Sequence, residues 1–148
     1  MARPGSIVVG TDGSDRAERA LDRAGELARL LGSKVHVVSC YGKGLDGVGT
    51  AAARGVAIAG QLAEGERTRA QHAVDRAQQR LVQMGVESET HVWPGDPADA
   101  LVQIADEQDA RMIIIGNRGM AGARRVLGSV PNRVSHHANC DVVIVRTT

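Results

Sequence analysis

The apolar positions of this chain change period several times, from strand-like runs to helix-like stripes and back. Ser6–Gly10, "SIVVG", is rich in β-branched residues and predicts a short buried strand. After "TDGSD", Ala17, Ala20, Leu21, Ala24, Leu27 and Leu31 recur at helical spacing, with Asp15 and Glu18 as a capping pair and Gly32 as the stop. "KVHVVSCY" (34–41) predicts a second strand, in which His36 is expected to be a solvent-facing or edge side chain. From 41 to 60 no period is visible, and this Gly/Ala-rich segment reads as a mobile loop, longer than most within compact domains. Ala70, Val74, Ala77, Leu81 and Met84 mark the inner face of a second helix that ends at Gly85. "VESETHVW" (86–93) alternates as a third strand, and Asp96 with Pro97 opens a third helix. "ARMIIIG" is the most apolar strand and is expected at the centre of the sheet. A fourth helix carries Val126, Val130 and Val134, and "DVVIV" closes the chain as a fifth strand.

Strands that alternate with helices predict an α/β fold, a five-stranded parallel doubly wound sheet of Rossmann-like type with helices on both faces. Its connections should be right-handed crossovers, and one domain is expected over residues 1–148. Such sheets bind ligands beyond the carboxyl ends of their strands, where the strand order reverses. That rule selects Thr11 and Asp12 after the first strand, Cys40 at the end of the second, and the segment from Gly116 after the fourth.

Composition narrows the function classes. Hydrophobic content of 43% and charged content of 24% are ordinary for a globular protein. The formal net charge is only +1, although sixteen of the eighteen basic residues are arginine, so nothing steers the chain strongly toward nucleic acid or an anionic membrane. Trp93 and Tyr41 are the only aromatics, too few for a base-stacking platform, and Trp93 reads as a packing or rim residue. No apolar run is long enough for a membrane span, and "MARPGSIVVG" has no apolar signal region, so a cytoplasmic address is expected. Cys40 and Cys140 form no CxxC pattern and read as two buried small hydrophobes. His136 and His137 fall late in the last helix with no third ligand at metal spacing, and read as surface residues.

The segment "IIIGNRGMAGARRVLGS" contains four glycines. Glycine suits places where backbone turns sharply or closely approaches a ligand. Successive N–H groups there can form an anion nest, to which a helix N-terminus adds its dipole. The best-matched ligand is a phosphate chain, approached through Gly116, Gly119, Gly128 and the N–H and hydroxyl of Ser129. There is no GxxxxGK[ST] and no GxGxxG, so a dinucleotide cofactor is disfavoured. Arg118, Arg124 and Arg125 read equally as phosphate partners or as a solvated helix face. Asp12 is either a ligand contact or a turn residue, since Asp-Gly is a strong turn signal. Mg²⁺ would enter only through bound phosphates, because no second carboxylate is near Asp12 in a metal-binding pattern.

"VVGTDGS" at one end and "GNRGMAGARRVLGSVPNRVSHHANCDVVIV" at the other resemble the universal stress protein family, and the resemblance covers essentially the whole chain. It implies an adenine-nucleotide-binding α/β fold, strand order 3-2-1-4-5, and a homodimer through the last strand. Members that bind ATP carry glycine, two residues, glycine, nine residues, then glycine and serine or threonine. Gly116, Gly119, Gly128 and Ser129 match, but residues 120–127 number eight where the family has nine. ATP is the first expected ligand, with AMP or cyclic AMP as the others. The resemblance further implies that Asp12 meets the nucleoside end, that the Cys40 backbone meets adenine, and that Ile115 and Val130 line the pocket. The function expected is a regulatory module of the stress response, with no catalytic residue or resident metal identified. Slow ATP hydrolysis and a nucleotide-independent dimeric interaction protein stay open beside it.

Overall fold

The structure is a computed structural model and describes residues 5–42, 55–117 and 127–147. Nine elements alternate: β1 (Ser6–Gly10), α1 (Asp15–Leu31), β2 (Val35–Tyr41), α2 (Gly55–Gln83), β3 (Ser88–Pro94), α3 (Pro97–Glu107), β4 (Ala110–Gly116), α4 (Ser129–His137) and β5 (Asp141–Val145). The five strands form one sheet in the order β3-β2-β1-β4-β5, and every pairing is parallel.

Strand alternation divides the core in two. Ile7, Val9, Val35, Val37 and Ile114 point to one face and pack with Leu21 and Ala24 of α1 and with Val74, Ala77 and Leu81 of α2. Val8, Val38, Ile113 and Ile115 point to the other, against Leu101 and Ile104 of α3 and Val130 and Val134 of α4. Burial on both faces explains why β1 and β4 read as unbroken apolar runs.

Several expectations are revised. The N-cap of α1 is Ser14, whose hydroxyl accepts from Ala17 N, so Asp15 is the first helical residue and not half of a capping box. Gly32 does end that helix, at φ +64 in the left-handed region. Most of the proposed loop, residues 43–54, lies outside the described residues, but 55–60 belong to α2. Gly60 and Gly65 do not stop that helix. Each costs about 1 kcal/mol against alanine, which a long helix docked on the sheet tolerates. β4 is an interior strand, but the middle of the sheet is β1. The cysteines are free and half-buried, not buried.

His36 departs furthest from expectation. It is buried on an interior strand, and its Nδ1 lies 2.9 Å from Nε2 of His91 on the neighbouring β3. Burial, and then the adjacent ring, hold His36 below the ordinary imidazole range, and burial does the same to His91.

Candidate functional site

The parallel sheet sends the ends of β1, β2 and β4 to one side of the molecule, where a cleft of about 980 Å³ opens. It is lined by Thr11 and Asp12 from the turn after β1, Cys40 from β2, Ile115 and Gly116 from β4, and Gly128, Ser129 and Val130 at the start of α4. Residues up to 119 positions apart in sequence thus meet where the strand order reverses. Arg118 and Gly119, assigned to the same loop from sequence, lie outside the described residues, as do Arg124, Arg125 and Val126. A second depression of about 400 Å³ between α3 and α4 is lined by Asp99, Asp106, Glu107, Arg133 and His137 and does not reach the strand ends.

The first wall is a rigid turn. Thr11 N donates to Val38 O at 2.9 Å, which joins the turn to β2. Gly13 N donates to Thr11 Oγ1 at 3.1 Å, and Ser14 N to Asp12 Oδ1 at 2.9 Å. Asp12 therefore builds the turn, and its exposed side chain also lines the cleft. Gly13 adopts φ +80, and Arg76 of α2 donates to its carbonyl at 2.6 Å from behind. The "DG" dipeptide is thus a backbone requirement.

The opposite wall is the start of α4. Its N-cap is Gly128, at φ −58, which supplies no side-chain cap. Any residue can adopt that φ, so the backbone conformation there does not require glycine. Pro131 stands in the first turn and has no N–H, which leaves Ser129 and Val130 to carry that turn's amide donors, with no side-chain cap from Gly128 among the described residues. Arg133 fixes the helix from below, its Nη1 2.7 Å from Asp96 Oδ1 and its Nη2 2.9 Å from Asp99 Oδ1 on α3. Asp96 also caps α3, accepting from Ala98 N at 2.9 Å and Asp99 N at 3.3 Å as the sequence predicted.

Sequence reasoning missed several lining or supporting residues, among them Arg16, Leu101, Thr147, Asn117 and Arg133. Leu101 and Thr147 line the cleft. Asn117 Oδ1 accepts from Thr147 Oγ1 at 2.8 Å and from Thr147 N at 3.1 Å, while Asn117 N donates to Val145 O at 2.9 Å. The root of the glycine loop is thereby tied to the chain leaving β5. An asparagine next to a strand-ending glycine was the available signal, since its carboxamide commonly bonds nearby backbone.

The chemistry of the cleft is graded from side to side. Asp12 and Asp15 line the α1 side with Arg16 beside them, so that side carries both signs of charge, and the start of α4 makes the other side favourable to anions. Between them Leu101, Ile115 and Val130 are apolar. Burial, then Asp96, push the Cys40 thiol up to about 12, so it is neutral and a poor nucleophile at physiological pH. A volume of about 980 Å³ is at the upper end for a small-molecule pocket.

The profile of the family described as "Universal stress protein family" matches residues 5–146. The chain is 37% identical over 145 residues to universal stress protein Rv1636 of Mycobacterium tuberculosis, with 97% of each chain covered. Among solved structures, it is similar to a universal stress protein in complex with cAMP (34% identity, TM-score 0.71, covering 97% of this chain and 98% of that one). It is also similar to the universal stress protein from Archaeoglobus fulgidus in complex with dAMP (33% identity, TM-score 0.70, covering 95% and 96%).

Proposed function

The chain belongs to the universal stress protein family, and from that premise we propose that it is an adenine-nucleotide-binding regulatory module. One observation carries the proposal. The cleft brings together carboxylates at its α1 side, an apolar patch of Leu101, Ile115 and Val130, and a helix start that favours anions, three surfaces matched in kind to ribose hydroxyls, an adenine ring and phosphate. Phosphate oxygens would sit at Gly128, Ser129 and Val130, where amide donors and the helix dipole favour negative charge. They would avoid Asp12 and Asp15. Asp12 would accept from ribose hydroxyls, and the base would lie against Leu101, Ile115 and Val130, with the Cys40 backbone at its edge. A neutral thiol adds no charge there. Gly116, with Arg118 and Gly119 on sequence grounds, would bring the loop over the phosphates.

The likeness to proteins whose structures hold cAMP and dAMP supports an adenine nucleotide. ATP is the first candidate because the glycine-serine anchors of the motif are kept. AMP and cyclic AMP follow because residues 120–127 are one short of the family's spacing. Mg²⁺ would be held by the bound phosphates. Calorimetric titration with ATP, AMP and cyclic AMP tests the reading. Gly116→Val should abolish binding by placing a branched side chain in the approach, and Asp12→Ala should weaken it roughly tenfold by removing a charge-assisted hydrogen bond. Unchanged affinity in both variants would overturn the assignment. Recovery of intact nucleotide after long incubation with Mg²⁺ would separate a binding module from a slow hydrolase.

A further inference from the structure

Two imidazoles and a carboxylate meet on the α3 face of the β2–β3 ladder, His36 and Glu89 near the start of their strands and His91 midway along β3. The register places His36 opposite Glu89, and His91 stands two residues beyond Glu89, so all three side chains leave the same face. His36 Nδ1 and His91 Nε2 are 2.9 Å apart, and the ring planes are tilted by 41°. One ligand atom from each of the three residues falls within 4.8 Å of the other two. His36 is only 2% exposed, so this nitrogen faces its neighbour and not bulk water.

The pair is held by one hydrogen between two nitrogens, which is the place a metal ion would take. Two nitrogens bound tetrahedrally to zinc are about 3.3 Å apart, so the rings need to separate by only a few tenths of an ångström. Two imidazoles and a carboxylate are a donor set suited to zinc, with water in the fourth position.

We propose that His36, His91 and Glu89 form a binding site for a zinc-class divalent ion, separate from the cleft. Lys34 is its built-in competitor. Its ammonium lies 2.8 Å from Glu89 Oε2 and 3.9 Å from Glu87 Oε1, neutralising the carboxylate until an ion displaces or shares that contact. Occupancy would clip the edge strand β3 to β2.

The test is calorimetric titration of untagged, chelator-stripped full-length protein with zinc chloride. One ion per chain should bind at this site. Affinity should fall by at least about tenfold in His91→Ala and in Glu89→Gln, as loss of a ligand demands. It should rise in Lys34→Ala, and stay unchanged when His136→Ala and His137→Ala remove the surface imidazoles of α4. Circular dichroism checks the fold of His91→Ala. Should that variant unfold, the nearly isosteric Glu89→Gln decides. Zinc binding that survives both ligand substitutions, follows the α4 histidines instead, or is absent from the parent protein overturns the proposal.

Discussion

Gly13 shows how a single residue can bind local conformation to the site. Its φ of +80 is one that side-chain-bearing residues rarely adopt. An added Cβ would also stand 3.0 Å from Arg76 Nη2 and 3.3 Å from Ala73 Cβ. Gly13→Ala is expected to cost about 1–3 kcal/mol from backbone strain, read as a lower urea midpoint with unchanged slope. The same residue scale marks where the sequence was informative. The Asp-Gly turn, Asp96 as a cap and Gly32 as a stop were legible because each depends on neighbours within a few positions. His36 was not, because its partner His91 is 55 positions away and becomes a neighbour only through strand pairing. Cys40 lay between these cases. Its strand position was legible, while the charge of its thiol depends on burial and on Asp96 at the cap of α3.

At the level of elements, α4 is the piece whose placement matters most, since its first turn forms the anion-favouring wall. It is nine residues long and buries only Val130, Pro131 and Val134. Packing alone holds it modestly, and the Arg133 fork onto Asp96 and Asp99 adds direction. Arg133→Met should lower stability by only about 1 kcal/mol or less, because the guanidinium is partly exposed and screened. It should weaken nucleotide binding several-fold more than that loss alone would suggest, because the helix start would no longer be aimed. Paired melting and calorimetry would check it, and equal affinity would show that packing suffices. Four strands were readable from apolar, β-branched runs and β3 from its alternation, and the bounds of β1, β4 and β5 agree with the sequence expectation. The start of α2 was not, because Gly55, Gly60 and Gly65 argue locally against a helix that the sheet contact farther along sustains.

For the whole molecule, the strand order leaves β3 and β5 as the two edges. On β5, Ile144 is 37% exposed, a large apolar group beside unpaired ladder positions. We propose homodimerisation through this strand, as the family resemblance implies. Ile144→Lys should convert a sedimenting dimer to monomer at micromolar concentration while leaving the far-ultraviolet circular dichroism unchanged. A monomeric parent protein would refute the pairing. Among the described residues no helix is long and apolar enough to cross a membrane. The parallel sheet has a further effect. Strands that all point one way give the molecule polarity, so that the cleft gathers at their ends while His36 sits near the start of β2 and His91 midway along β3. From His36 to Cys40 is four residues, about 13 Å along an extended strand, but His91 pairs with Val38, which lines the cleft. An ion held between His36 and His91 would therefore stiffen the same strand pair that supplies one border of the cleft.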